Sequence, residues 1–217
     1  MTHAPAEALH DLARRLLSPD DAARWIALLR PGLRLAHAGD GPVAGRLGGL
    51  ARPAAGPALD MPWPEGEGNG PLSHLASLDC AALTAAVNSG LALPASGTLL
   101  FFLFDGRLDD EDCMVYPSDP QTRPGSRVLH VPADGHPVPV QEPVEWEVAR
   151  GLLDPDAAWQ DSRPDDEAAE WVLLAQIDTA EAADMMWGDA GTVYWLIRPA
   201  DLAAGRFEEA MFTWQCC

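Results

Sequence analysis

Apolar residues recur at helical spacing in the first thirty positions of the chain. In the first segment they are Leu9, Leu12, Leu16 and Leu17, three or four residues apart, which predicts an amphipathic helix. Ser18-Pro19-Asp20-Asp21 then supplies an N-cap residue, a proline suited to the first turn and two first-turn acids. This combination predicts a second helix, which ends at Pro31-Gly32.

From residue 70 onward, apolar segments of strand length are separated by residues typical of turns. The predicted strands are 72–78, 98–104, 127–131, 171–177, 191–197 and 209–216, with a short additional strand at 33–38. Segment 98–104 is apolar throughout, so we expect it to be buried on both faces, and we expect 171–177 to be another buried strand. Short helices are predicted over 81–88 and 199–204.

Two stretches of the chain resemble each other. LASLD at 75–79 and LAQID at 174–178 are each followed by small residues and then by a glycine, Gly97 or Gly191, that opens an apolar strand. The copies are offset by 99 residues at Asp79 and Asp178, and by 94 at the two glycines. Near-equal offsets predict a duplicated strand–helix–turn–strand unit, with chance similarity of short apolar strands as the alternative.

These patterns predict an α+β fold, mostly antiparallel sheet with a helical N-terminus. We expect residues 1–32 to form a helical segment and 33–217 a single domain built from two related halves. The apolar strand that follows each glycine turn is expected to be central in its sheet.

The charge of the chain limits the classes of partner and of reaction that we expect for it. Fourteen basic residues, all Arg, stand against 33 acidic ones, giving a net charge of −19. Without Lys there is no Schiff-base or P-loop chemistry. Such acidity disfavours nucleic acid and anionic membranes, and leaves either a basic protein partner or solubility alone as its explanation. The sequence shows no targeting segment, and its four Cys have no framework spacing, so we expect a cytoplasmic protein.

Few residues suggest a site. Asp79 and Asp178 occupy matching places, either converging for acid–base or metal chemistry or each capping the helix after its strand. Asp189 follows Trp187 in WGDAG at 187–191, where it either reaches into a cleft or closes an Asx turn. No catalytic motif and no metal-ligand spacing is present, so no cofactor or metal is expected.

Several segments together resemble successive blocks of the YwqG-like family. They are GRLGG at 45–49, PWP at 62–64, GPL at 70–72, LASLD at 75–79, LPASGTLLFF at 93–102, LAQID at 174–178, WGDAG at 187–191 and WQCC at 214–217. The first copy carries Ser77 where the family usually has Gln. The resemblance implies an intracellular α+β protein, widespread in bacteria and without an established activity. It also implies protein binding, since relatives are grouped with toxin–immunity neighbourhoods.

Two functional hypotheses follow. The first is a non-enzymatic protein-binding domain of the immunity type, whose acidic surface meets a basic protein such as a toxin. The second is a small-ligand-binding protein or enzyme with a cleft near Asp178, Trp187 and Asp189. Whether the protein is an enzyme stays open, with the absence of a catalytic motif favouring a binding role, and so does its oligomeric state.

Overall fold

The computed structural model describes the chain in ranges separated by gaps. They are residues 6–30, 32–33, 35, 43–49, 51, 62–66, 70–86, 91–104, 125–133, 170–183 and 185–215. The chain divides into two compact units, Met1–Pro42 and Val43–Cys217, called here the helical unit and the sheet unit. The predicted boundary after residue 32 stays a prediction, because residues 36–42 lie outside the described ranges.

The helical unit contains the two helices that the spacing predicts. Helix α1 spans Ala6–Leu16 and helix α2 spans Pro19–Leu28. Ser18 caps α2, because its Oγ accepts the Asp21 backbone N–H at 3.3 Å and donates to the Asp21 carboxylate at 2.7 Å. The predicted strand at 33–38 falls mostly outside the described residues.

The sheet unit contains nine strands and two short helices among its described residues. The strands are β1 (Gly45–Leu47), β2 (Glu65–Gly66), β3 (Gly70–Pro71), β4 (Ser73–Asp79), β5 (Thr98–Leu103), β6 (Ser126–Val131), β7 (Val172–Asp178), β8 (Thr192–Ile197) and β9 (Met211–Gln215). The helices are α3 (Cys80–Ala86) after β4 and α4 (Pro199–Ala204) after β8. Single turns of 3-10 helix lie at Glu181–Ala183 and Phe207–Glu209.

Both large sheets are antiparallel. The first has the order β1-β4-β5-β6 and the second the order β7-β8-β9, while β2 and β3 pair separately. The apolar strands β5 and β8 each lie between two neighbours, as predicted for central strands. The predicted α+β class, with mostly antiparallel sheet and a helical N-terminus, is confirmed.

The inner faces of the two sheets share one core. Phe101 of β5 and Trp195 of β8 are both fully buried, and their rings meet edge to face with centroids 5.1 Å apart. The Trp195 indole N–H also donates to Ser126 Oγ at 2.9 Å, which joins the second sheet to β6 of the first. The central strands of the two halves are therefore packed directly against each other.

One glycine is required by the turn that leads into β5. Gly97 has φ +97°, and a Cβ at this position would lie 2.6 Å from the Val131 carbonyl and against the His130 ring. Side chains rarely adopt this backbone conformation, and no space exists for one. The turn before β5 therefore depends on glycine.

The predicted buried strand at 171–177 is buried only in part. In β7 only Ile177 is buried, and Leu173 is 45% exposed. An apolar run is buried on both faces only where both faces of its sheet are covered, and the outer face of β7 is not. By contrast, every residue of β5 is buried, as predicted. No helix in the described part of the chain is long and apolar enough to cross a bilayer.

Candidate functional site

The two sheets repeat one scaffold. The pairing of β4 with β5 is irregular between His74 and Ala76, and the pairing of β7 with β8 is irregular between Leu173 and Ala175. These positions lie 99 residues apart, the offset seen between the two aspartates of the sequence copies. A bulge is a specific local feature, so its recurrence at the same offset supports the predicted duplication.

A matching backbone hydrogen bond closes the turn in each half. The Cys80 N–H donates to the Gly97 carbonyl at 3.0 Å, and the Thr179 N–H donates to the Gly191 carbonyl at 3.1 Å. Cys80 and Thr179 are 99 residues apart, and the glycines 94. The two halves therefore share the strand pairing and this closing hydrogen bond, although helix α3 follows β4 where a single turn of 3-10 helix follows β7.

The outer face of the first sheet is covered, and we call it the closed face. It comprises His74, Ser77, Leu100, Phe102, Leu129 and Val131. Leu100 and Phe102 are fully buried. Trp63 packs edge to face on Phe102 at 5.3 Å and donates its indole N–H to the Leu72 carbonyl at 2.7 Å. The Pro-flanked tryptophan of the sequence therefore covers this face.

A buried polar pair lies within the closed face. His74 Nδ1 is 3.1 Å from the Gly49 carbonyl, which can only accept, so Nδ1 carries the proton. His74 Nε2 then accepts the Ser77 hydroxyl proton at 3.0 Å. Burial lowers the pKa of His74, although backbone hydrogen bonds oppose this shift in part. Ser77 is fully buried, so the pair is a satisfied structural network that no substrate reaches.

The equivalent face of the second sheet is uncovered in large part, and we call it the open face. It comprises Leu173, Gln176, Asp178, Thr192, Tyr194, Leu196, Met211 and Thr213, of which Met211 is buried. Leu173 and Gln176, which correspond to the buried His74 and Ser77, are exposed. Tyr194 is half-buried, and its hydroxyl donates to Gln215 Oε1 at 3.3 Å. The face therefore combines an apolar corner with aromatic and amide groups.

An acidic hydrogen-bonded cluster forms the other end of the open face. Asp178 Oδ1 accepts from Gln176 Nε2 at 2.9 Å and from Thr192 Oγ1 at 3.0 Å. The expectation that Asp178 caps a following helix is therefore wrong, because its cross-strand partner Thr192 takes the carboxylate instead. The same expectation is confirmed for Asp79, whose Oδ1 accepts the Ala82 N–H at 2.7 Å at the start of α3.

Trp187 and Asp189 lie in the turn that precedes β8. Trp187 is buried in the core, and its backbone N–H donates to Thr179 Oγ1 at 3.2 Å. Asp189 is exposed in the tight turn 188–190. Thr179, which accepts the hydrogen bond of Trp187, directly follows Asp178 in the chain. Among the described residues, no hydrogen bond joins any two of Asp178, Trp187 and Asp189. Their role as ligand or partner residues stays a prediction.

The net charge resides on one unit. Residues 1–42 contain five Arg and five acidic residues, so the whole charge of −19 belongs to residues 43–217. Within that unit, burial and the nearby Asp201 and Glu208 raise the pKa of Glu209, next to β9. Among the described residues, no three potential metal ligands come together. The sheet unit is therefore the acidic part of the chain.

Sequence reasoning did not find the open face. Leu173 and Gln176 lie in a run that is typical of a core strand, and Tyr194 alternates with buried residues. The signal was nevertheless present. At the same two positions the first copy has His74 and Ser77, so the outward residues of the duplicated strand differ while the inward ones stay apolar.

Comparison with known proteins supports the duplication. The model of the family described as "Domain of unknown function (DUF1963)" matches the chain twice, over residues 46–134 and 133–216. The first match includes β2 to β6 and all of β1 except Gly45, and the second includes β7 to β9. No curated protein matches the chain at a significant level.

Proposed function

We propose a role for the chain from its family membership: it belongs to the family described as Domain of unknown function (DUF1963). The proposed role is that of a non-enzymatic protein-binding domain. Its open face binds a basic protein. The supporting observation is the contrast between equivalent positions: Leu173 is 45% exposed where His74 is 7% exposed. The duplicated scaffold thus has one outer face sealed by its own chain and one left with apolar, aromatic and acidic groups.

The composition of the open face specifies the partner. Burial of its exposed apolar corner by a partner contributes favourably to the binding free energy. Tyr194 offers a rigid side chain that both packs and hydrogen-bonds. Asp178 and the charge of −19 on the sheet unit favour Arg or Lys on the partner and accelerate its association. A basic toxin neutralised by an immunity protein has this chemistry.

We also infer that the chain belongs to a YwqG-like branch within this family. GRLGG at 45–49 supports it, because β1 pairs there with β4, and so does PWP at 62–64, whose Trp63 covers the closed face. In that branch, the immunity-type role is the more specific form of the proposal. A cytoplasmic location goes with it.

A matched pair of surface variants tests the proposal. Leu173 and Leu47 are equally exposed leucines, at 45% and 47%, on the second and first sheets. Leu173→Arg places a positive charge on the open face, and Leu47→Arg adds the same charge elsewhere. We expect tagged wild type and Leu47→Arg to capture a basic protein in equal molar amount from native lysate at low salt, and Leu173→Arg to lose it.

Two results would count against the binding role. One is capture of no stoichiometric partner even at low salt. The other is equal capture by both variants, which would place binding away from the open face. Salt provides a further measure, because steering by opposite charges weakens as ionic strength rises. Capture should therefore fall between low and physiological salt.

One observation favours the small-ligand alternative. The Trp187 indole N–H is buried and has no acceptor among the described residues, and an unpaired buried donor costs stability. A ligand with an acceptor atom near Trp187, Asp178 and Asp189 would remove that cost. A screen of small acids and amides by thermal shift tests this; a hit that is unchanged in Asp178→Asn and Asp189→Asn would exclude a site at these residues.

A further inference from the structure

Strand β4 is covered along its outer edge by β1, a strand that has no described equivalent in the second sheet. β1 pairs antiparallel with β4, with Arg46 opposite Ser77 and Leu47 opposite Ala76. The second sheet has the order β7-β8-β9, so β7, the counterpart of β4, is an edge strand among the described residues. An edge strand offers its unpaired backbone groups to an extended segment of another chain.

Two backbone hydrogen bonds at the ends of β1 show which groups of β4 face this edge. The Asp79 N–H donates to the Ala44 carbonyl at 2.9 Å, and the Gly48 N–H donates to the Leu75 carbonyl at 2.7 Å. Backbone groups along a strand point alternately to its two edges, so the residue midway between these two also faces β1.

The second copy repeats these groups without a strand beside them. The positions 99 residues further on are occupied by the Asp178 N–H and the Leu174 carbonyl. In the ranges that the structure describes, neither group has a backbone partner on this edge of β7. The described part of β7 therefore presents the same hydrogen-bonding groups that β4 uses to hold β1.

Identical residues are more exposed in β7 than in β4. Both copies have a leucine followed by an alanine, as Leu75-Ala76 and Leu174-Ala175. The first two residues are 2% and 1% exposed, whereas the second two are half-buried. Because the residue types are the same, the difference arises from the surroundings of the strand, which for β4 include β1.

We propose that a basic protein adds an extended segment to β7 as an antiparallel strand, in the place that β1 holds on β4. This inference rests on the proposed function and specifies how the partner binds. Main-chain hydrogen bonds to the Leu174 carbonyl and the Asp178 N–H fix the register, as in other complexes formed by strand addition. The residue opposite Gln176 lies on the same side of the sheet as Gln176, so the added strand continues the open face.

The register of β1 specifies which segment fits this edge. Gly45-Arg46-Leu47 lies opposite 78, 77 and 76, which correspond to Ile177, Gln176 and Ala175. A segment with a small, a basic and an apolar residue in this order places its basic side chain opposite Gln176. The exposed Asp178 carboxylate lies two residues along the same face, within diagonal reach of a long side chain. Opposite charges at this point favour a basic partner strand.

A peptide with the β1 sequence VAGRLGG, residues 43–49, is the probe for this edge. It is added to the isotope-labelled full chain, and the backbone amides are followed by NMR. We expect shifts centred on Leu174 to Asp178, with a dissociation constant on the order of 1 mM, since few main-chain bonds hold so short a peptide. Replacing its arginine by glutamate should weaken binding, because Asp178 then meets a like charge.

Two methylated peptides test whether the peptide binds as a strand. Methylating the nitrogen that corresponds to Gly48 removes the donor to the leucine carbonyl and should weaken binding about tenfold. The matched control methylates the nitrogen that corresponds to Leu47, whose N–H points away from the paired edge. It should bind like the unmodified peptide.

Two substitutions at one position of β7 separate strand addition from side-chain contact. Gln176→Pro removes the N–H that faces the partner, and proline is tolerated at an edge where this N–H points away from its own sheet. Gln176→Ala removes the side chain and keeps the N–H. We expect Gln176→Pro to lose peptide binding and Gln176→Ala to keep it. Circular dichroism checks that both fold, and the methylated peptides decide the question should the proline variant unfold.

Three results would overturn the inference. The first is that shifts are absent at about 10 mM peptide or centre on β6 or β9. The second is equal binding of the two methylated peptides. The third is slow hydrogen exchange of the Asp178 amide in the chain alone, which would mean that the chain itself or a second copy already pairs with this edge.

Protein capture distinguishes failure of this inference from failure of the proposed function. A basic protein that is retained by Gln176→Pro but lost by Leu173→Arg would contradict strand addition and leave binding at the open face intact. Capture of no protein would contradict the proposed function, while peptide binding at β7 would still show that the edge accepts a basic strand.

Discussion

The closed face and the open face are the same part of a duplicated scaffold with two different outcomes. Strand β4 and strand β7 share a bulge at the same position and pair identically with the next strand. Yet His74 and Ser77 are buried under Trp63 and its neighbours, whereas Leu173 and Gln176 are exposed. The comparison shows that backbone pairing defines the fold of each half, while side chains on the outer face determine whether that half is sealed or available.

The inner faces of the two sheets, in contrast, carry equivalent residues in equivalent surroundings. Phe101 and Trp195 are equivalent residues of the two copies, and they contact each other. Residues that meet their own equivalents lie near the axis of a two-fold arrangement. The two halves thus pack as a dimer of related units would, within one chain. Their inward positions are constrained alike, which leaves the outward positions to differ.

The largest expected effect comes from truncating equivalent outward residues. Phe102 is fully buried on the closed face, and its counterpart Leu196 is half-buried on the open face. Phe102→Ala should cost about 3–5 kcal/mol of unfolding free energy, because it leaves a cavity beneath Trp63. Leu196→Ala should cost about 1 kcal/mol. Urea unfolding of both variants measures the difference, and similar costs would mean that the open face is covered after all.

Exchanging the residues at the equivalent positions 74 and 173 should have an intermediate effect on the free energy of unfolding. His74→Leu installs the residue of the second copy and leaves the Ser77 hydroxyl and the Gly49 carbonyl without their partner. We expect a loss of about 2–3 kcal/mol. Leu173→His, on the exposed face, should change stability by less than about 0.5 kcal/mol.

A second variant separates the contribution of the His74–Ser77 hydrogen bond to stability from that of side-chain packing. Adding Ser77→Ala to His74→Leu removes the unpaired hydroxyl and should restore part of the lost stability. No recovery in urea unfolding would show that the cost of His74→Leu is steric and that the hydrogen bonds contribute little.

The smallest effect is the pH dependence that His74 of the closed face contributes to stability. Burial lowers the pKa of His74 below its value of 6.5 in the unfolded chain. Below pH 6.5 the unfolded state therefore binds more protons than the folded state, so stability falls as the pH falls. One histidine changes stability by at most about 1.4 kcal/mol per pH unit.

Unfolding midpoints between pH 8 and about pH 5 measure this slope in a range where few carboxylates titrate. The His74→Leu variant should give a flatter profile over the same range. An equal slope in both proteins would assign the pH dependence to other groups.

Much of the fold was readable from the sequence. The helical spacing located α1 and α2, and the alternation of apolar runs with turns located β4 to β9. The offsets of 99 and 94 residues anticipated the shared register, because a duplicated unit keeps its internal spacing.

The candidate site was less accessible from sequence. The sequence of β7 does not reveal whether Leu173 is covered, because an apolar strand has the same pattern in either case. Asp178 was expected to cap a helix because it follows a strand as Asp79 does. Its cross-strand pairing with Thr192 becomes visible only when the register is known.

The central claim is that equivalent outward positions are sealed in one half and accessible in the other, and thiol labelling measures it directly. Ser77→Cys and Gln176→Cys, each made in a chain whose Cys80, Cys113, Cys216 and Cys217 are replaced by alanine, place one thiol at each position. With a maleimide, the thiol at position 176 should react nearly as fast as in the unfolded chain. The thiol at position 77 should react at least about 100-fold more slowly, because reaction there requires opening of the closed face. Equal rates at the two positions would contradict the account.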